Sequence, residues 1–119
     1  SYEYLKTVFE NNDKSWSTAL KSVYGIYLIT DKSNGKMYVG SAYGKDSIWN
    51  RWNNYIDNGH GGNKKLKELV QRKRNNYLNN FQFSLLEIFS KVISKEEIIN
   101  REAYWKKILL SREFGYNDN

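Results

Sequence analysis

Cysteine and proline are both absent, and histidine occurs once. Without cysteine there is no disulfide and no thiolate zinc site, and a single histidine cannot complete a structural zinc centre. Without proline, and with no Gly/Ser-rich run, nothing in the 119 residues reads as a linker, and no internal repeat is visible. The length suits one compact domain over residues 1–119. No apolar run approaches the roughly 20 residues of a membrane span, and no signal-peptide pattern opens the chain, so an intracellular, cytoplasmic setting is expected. Acidic residues are scarce as well: 13 Asp and Glu against 19 Lys and Arg leave a net charge of +6. That balance favours a polyanionic partner, either nucleic acid or an anionic membrane surface. No Leu-rich basic amphipathic helix argues for the membrane.

Aromatic residues are plentiful, with ten Tyr and four Trp. The chain is organised around residues 25–40, which read Gly25-Ile26-Tyr27-Leu28-Ile29-Thr30, a turn, and Lys36-Met37-Tyr38-Val39-Gly40. Residues 23–30 are rich in β-branched and aromatic residues and apolar on both alternating faces, which suits a strand covered on both sides. Asn34-Gly35 is a strong hairpin signal because both residues tolerate positive φ. In an antiparallel hairpin with an even loop, cross-strand partners sum to an odd number, so Tyr38 shares a face with Tyr27. With Asn34-Gly35 at the centre the two phenols are about four residues apart along the ladder, roughly 13 Å. A lopsided loop would bring them closer.

Before the hairpin, Tyr2, Leu5, Val8 and Phe9 recur at helical spacing over 2–11, and Ser15 can cap a second short helix carrying Trp16, Ala19 and Leu20. These helices cover a sheet face or form a dimer contact. After Gly40 comes a loop of small residues with Lys45, and Asp46 or Ser47 can cap the next helix. There Ile48, Trp49, Trp52, Tyr55 and Ile56 define an apolar face. Arg51 sits just off that face, one turn before Tyr55, where partial desolvation favours either a phosphate clamp or a carboxylate pair. Residues 57–62 form a glycine-rich turn carrying His60, inert or close to a ligand. A helix over 63–75 carries Lys64, Lys65, Lys67, Arg72, Lys73 and Arg74 against one acid, Glu68. This densest positive patch is read as a phosphate contact, with a solvated face as the plainer alternative.

Residues 81–89 form a third strand. Ser94-Lys95-Glu96-Glu97 is a capping box that starts a helix to about residue 110. Its apolar stripe is Ile98, Trp105 and Leu109, with Ile99 and Ile108 beside it. Glu102 falls inside the stripe. A carboxylate aimed at a core is costly unless it is paired or holds a cation, so Glu102 marks a site or a buried pair with Arg51. Near the end, the Asn117 side chain can bond backbone or ligand.

Taken together, these segments resemble the GIY-YIG nuclease superfamily. Gly25-Ile26-Tyr27 matches the first triplet and Tyr38-Val39-Gly40 the second. Arg51 with Tyr55 is similar to the superfamily's helical Arg followed one turn later by His or Tyr. His60 and the basic helix resemble the equivalent region of phage-type homing endonucleases. Arg101-Glu102-Ala103-Tyr104-Trp105 resembles the segment with the metal-binding Glu, and Gly115-Tyr116-Asn117 the terminal Asn. The match covers residues 24–117, so residues 1–22 read as a helical extension and 23–117 as the catalytic core.

The resemblance implies an α+β sandwich with a small three-stranded antiparallel sheet. It implies hydrolysis of double-stranded DNA with one Mg²⁺ or Mn²⁺ ion. In that reading Glu102 is the metal ligand, and a single inward carboxylate suits one ion. Arg51 balances transition-state charge, Tyr38 hydrogen-bonds the phosphate or a water, and Tyr27 is the favoured general base, with Tyr55 and His60 as rivals. Asn117 completes the set, Gly25 and Gly40 let strands pack closely, and Lys45 joins the helix 63–75 cations on DNA. Sequence specificity is expected from a second copy of the chain or from a recognition domain outside it. Two other functions compete: a non-cleaving DNA-binding module on the same fold, and a protein-interaction domain.

Overall fold

A computed structural model of the chain describes residues 2–11, 14–58, 64–72 and 75–118. Strand β1 (Tyr24–Asp31) lies between β2 (Met37–Ala42) and β3 (Phe81–Phe89), antiparallel to both. Its central place explains its apolar character on both parities. Ile26, Tyr27 and Ile29 are all buried, although neighbours in a strand face opposite ways. Between Ile26 and Tyr27 the β3 register slips, leaving Leu86 as a bulge.

Helices cover both faces of the sheet. On the Tyr27 face, α1 (Tyr2–Glu10), α2 (Lys14–Lys21), α3 (Ser47–Asn58) and α4 (Lys64–Arg72) bring Leu5, Leu20, Ile48, Trp52 and Leu66 into one cluster with Tyr27 and Ile29. On the other face, Ile26 and Val39 pack against Ile98 of α5 (Lys95–Ile108), with Trp105 and Leu109 beside them. Each fully buried aliphatic side chain contributes about 1.5–3 kcal/mol. The α+β sandwich is therefore as expected. A 3-10 helix at Asn75–Asn80 and a short α6 (Ser111–Phe114) add to it, and neither is long enough to carry a readable period. Among the described residues no helix is long and apolar enough to cross a membrane.

The hairpin register departs from the Asn34-Gly35 centre. Tyr27 pairs with Gly40 and Ile29 with Tyr38, so the phenols share a face as parity requires but are offset by two residues instead of four. The cause is Asp31. Its Oδ1 accepts from the Ser33 N–H at 3.0 Å and the Ser33 hydroxyl at 2.6 Å, and its carbonyl accepts from Gly35 N–H at 2.7 Å. This Asx turn closes a loop over 32–35 with Gly35 at φ 78°, so the turn forms one residue earlier than a two-residue Asn-Gly loop. Asp31 is fully buried, and its Oδ2 accepts from the Tyr77 hydroxyl and from Tyr116 OH at 2.6 Å. The carboxylate thus ties the turn to the 3-10 helix and to the chain's last segment. Burial pushes its pKa up, but the hydrogen bonds from Ser33, Tyr116 and Tyr77 outweigh that and hold it below the usual carboxylate range.

The capping box forms as expected: Ser94 Oγ accepts from Glu97 N–H at 3.1 Å and donates to Glu97 Oε1 at 3.2 Å. The α5 stripe is narrower than expected. Ile99 and Ile108 are 46% and 51% exposed, because the helix turns Glu102, Trp105 and Lys106 inward between Ile98 and Leu109.

Candidate active site

The Tyr27 ring lies across the backbone of β2 at Gly40. A Cβ on Gly40 would come 2.8 Å from Tyr27 Cε2 and nearer still to Cζ and the hydroxyl, so only glycine leaves room for the phenol. Gly25 does a milder version of the same job, since a Cβ there would meet Ile48 Cδ1 and the Glu87 carbonyl, each at 3.0 Å. Beyond Gly40, Tyr27 OH meets Tyr55 OH at 3.0 Å. The Tyr38 ring lies 6.3 Å from Tyr27 and 6.4 Å from Tyr55, and its hydroxyl also hydrogen-bonds Tyr55. Trp52 stands edge-on to Tyr27, and Phe83 backs both Trp52 and Tyr55. Three phenols thus converge, walled by apolar rings.

Glu102 approaches from the opposite face of the sheet. Its side chain is 20% exposed; Oε1 accepts from the Ser41 hydroxyl, and Oε2 pairs with Lys106 Nζ at 2.7 Å. The expected alternative pairing with Arg51 does not occur. Arg51 is half-buried and makes no ion pair among the described residues. Arg51 and Glu102 nevertheless both act electrostatically on the Tyr27 phenol, Arg51 lowering and Glu102 raising its pKa.

Burial, with Tyr38 adding to it, pushes the Tyr27 pKa far above the usual phenol range. The Tyr55 hydrogen bond and Arg51 recover only part of this. Tyr55 is likewise raised, by burial first and then by its two phenol neighbours. These phenols are hydrogen-bond donors through any working pH. That argues against the expected general-base role for Tyr27, which needed local positive charge to outweigh desolvation.

The remaining candidates are spread more widely. Both polar atoms of the buried Asn117 side chain are used by β2: Oδ1 accepts from Val39 N–H at 2.8 Å and Nδ2 donates to Val39 O at 2.9 Å. It clamps the edge strand and does not reach toward the phenols. Lys65 donates to the Asn117 carbonyl at 3.0 Å, tying α4 to the same segment. Lys45, Lys64 and Lys67 are exposed. His60, Lys73, Arg74 and the side chain of Arg72 lie outside the described residues.

Sequence reasoning missed Ser41 and Lys106. Both carried a signal: Ser41 follows the second triplet and by parity points to the α5 side, and Lys106 lies one turn after Glu102. Among the described residues no three His, Cys, Asp or Glu side chains gather, so an ion would rest on Glu102, neutral oxygens and water. That donor set fits a hard divalent cation such as Mg²⁺ or Mn²⁺, which keeps several waters and needs few protein ligands.

The three-stranded sandwich, with two tyrosines beside glycine-flanked strands and one carboxylate brought in by the last long helix, defines a GIY-YIG catalytic domain. The chain belongs to the GIY-YIG catalytic domain family, which matches residues 23–117. It is 39% identical over 93 residues to intron-associated endonuclease 1 of Enterobacteria phage T4, covering 78% of this chain and 36% of that protein. It is 28% identical over 106 residues to a probable intron-encoded endonuclease of Neurospora crassa, covering 84% of this chain and 22% of that one. Two solved structures of the I-TevI catalytic domain are similar. One, of a point mutant, has TM-score 0.63 and 32% identity over 82% of this chain and 94% of that chain. The other has TM-score 0.61 and 34% identity, over 81% and 98%. The chain thus spans about a third or less of the length of the curated relatives it matches.

Proposed function

We propose that the chain is the catalytic domain of a divalent-metal-dependent DNA endonuclease that hydrolyses one phosphodiester bond with a single ion. The observation that carries this is the cluster of Tyr27, Tyr38 and Tyr55 on one face of the hairpin, with Glu102 bonded to Ser41 of β2 from the other face, within a GIY-YIG catalytic domain. The relatives' names, all endonucleases, support it.

The phenols of Tyr27 and Tyr38 donate hydrogen bonds to a non-bridging phosphate oxygen and to the attacking water, fixing its line of approach. Arg51, with no carboxylate partner among the described residues, is available to the phosphate, where its fork matches two oxygens as negative charge grows. Glu102 and the Ser41 hydroxyl would supply oxygen ligands for Mg²⁺ or Mn²⁺. When bound, that ion offers positive charge to the phosphate and to the departing 3′ oxygen. Water oxygen bonds to phosphorus as the P–O3′ bond breaks, and the departing O3′ takes a proton from solvent water, leaving a 5′-phosphate and a 3′-hydroxyl. With Tyr27 and Tyr55 kept protonated by burial, His60, whose ordinary pKa lies near neutrality, takes the water's proton. Lys45, Lys64 and Lys67, with Arg72, Lys73 and Arg74, bind flanking phosphates without reading sequence. Target choice comes from chain beyond these residues or from a second copy, in keeping with the greater length of the relatives.

Plasmid nicking in Mg²⁺ tests the reading. Glu102→Ala and Arg51→Ala each abolish nicking while gel-shift affinity for duplex survives. Cleavage by either variant at the wild-type rate overturns the assignments. A wild-type chain that binds duplex but never nicks it is the non-cleaving module instead.

A further inference from the structure

Lys106 is the anomaly of α5. It occupies the inward stripe between Trp105 and Leu109, is 5% exposed, and places its ammonium 2.7 Å from Glu102 Oε2. An exposed pair one turn apart on a helix is worth little, but a buried ammonium costs desolvation that an apolar side chain would not. The pair therefore matters for what it does to Glu102. That carboxylate is fully engaged, with Ser41 on one oxygen and Lys106 on the other. Before substrate arrives, the charges acting there among the described residues are the Glu102 carboxylate, Lys106 and Arg51, a net positive balance. A divalent ion entering there meets a neutralised ligand and one further positive charge.

We propose that Lys106 is a positioning residue that suppresses ion binding to the free domain, so that the metal loads together with the DNA phosphate. The arriving phosphodiester brings the negative charge and the oxygens that the free site lacks. Ion and DNA then raise each other's affinity by the same factor, and Lys106 sets how large that factor is. The inference rests on the reading of Glu102 as the metal ligand, and the test separates the two.

Mn²⁺ is titrated into the 119-residue chain and followed by calorimetry and by the electron paramagnetic resonance of the free ion. Wild type, Lys106→Gln, Lys106→Arg and Glu102→Gln are compared, each first checked for a wild-type near-ultraviolet circular dichroism spectrum. Removing the charge tightens Mn²⁺ binding by roughly tenfold or more in Lys106→Gln, whereas Lys106→Arg stays at the wild-type level. A short phosphorothioate duplex, which keeps its charge and resists hydrolysis, tightens Mn²⁺ binding to wild type more than to Lys106→Gln. Unchanged or weaker Mn²⁺ binding in Lys106→Gln, with binding lost in Glu102→Gln, overturns the role of Lys106 alone. Wild-type Mn²⁺ binding in Glu102→Gln overturns the metal-ligand assignment itself, and this proposal with it. If Lys106→Gln loses the native spectrum, Lys106→Met replaces it, an apolar chain of similar length suited to the stripe.

Discussion

Replacing Gly40 with alanine perturbs the contact on which the site is built. The new Cβ would stand 2.8 Å from Tyr27 Cε2 and closer to Cζ and the hydroxyl. Tyr27 is 1% exposed and held by Trp52 and Tyr55, so its ring is not a loose end that swings aside. Forcing it away breaks the 3.0 Å hydrogen bond to Tyr55, worth about 0.5–1.5 kcal/mol. Overpacking the sheet face costs about 1–3 kcal/mol more. Urea unfolding of Gly40→Ala should therefore show a loss of roughly 2–4 kcal/mol with the slope unchanged. Nicking should fall with it, because the phenol no longer projects past β2. A double-mutant cycle isolates the cause. In a Tyr27→Leu background the ring is gone, and Gly40→Ala should cost at least about 1 kcal/mol less than in wild type. A Gly40→Ala variant within about 0.5 kcal/mol of wild type, or an equal cost in both backgrounds, would show that the ring does not lie on this glycine.

Three further outcomes follow from the same geometry. Asp31 has a folded pKa below its unfolded value of about 3.9. Its contribution is therefore complete above that value and is lost as pH falls through the folded one. Asp31→Asn should cost about 1–3 kcal/mol at pH 7 and flatten the loss of stability between about pH 5 and pH 2, read from urea midpoints at each pH. Tyr27→Phe should lower the single-turnover nicking rate about 10²-fold without moving the inflections of the pH–rate profile, since a phenol raised by burial stays protonated throughout. His60→Asn should instead remove the inflection near neutrality, and its persistence would assign the proton acceptor elsewhere. Alanine at Lys45, Lys64 and Lys67 together should lower the salt dependence of duplex binding by about one unit of slope for each phosphate left unneutralised, measured by titration at several ionic strengths.

Much of the molecule is legible in the chain because its signals are local and strong. Residues 23–30, apolar on both parities, place β1 in the middle of the sheet, and the capping box at Ser94 starts α5. The hairpin shows where locality fails. Asn34-Gly35 is a strong turn signal, yet the register follows the Asp31 side chain, whose last two partners, Tyr77 and Tyr116, are 46 and 85 residues away in sequence. No pattern within the hairpin contains that information. Glu102 was detectable because a carboxylate in an apolar stripe breaks the rule of its own helix. Lys106 breaks the same rule one turn later, but a lysine beside Lys107 in the last turn of a helix has a ready explanation as a dipole partner, and that hides its burial. Backbone bonding by Asn117 was one of the two expected options, but the strand it clamps was not legible, because edge pairing depends on where the tail runs.

The clamp also bears on how the β2 edge is covered. Outward-facing backbone along an edge strand invites unwanted pairing and has to be covered. Here the tail covers part of it: Tyr116 N–H donates to Met37 O at 2.8 Å, and the Asn117 amide brackets Val39. Parity makes Ser41 the next outward-facing position after Val39, and the clamp ends before it. Ser41 is the residue whose hydroxyl meets Glu102, and Gly40 beside it is where the Tyr27 phenol crosses the strand. The carboxylate contact and the phenol crossing therefore fall on adjacent, buried residues of the edge strand. Side chains from the two faces of a sheet meet without tunnelling through the core only at an edge, and this edge keeps a glycine on one face and a small serine on the other. A bulky residue at either position would separate the phenols from the carboxylate while leaving every helix and strand in place.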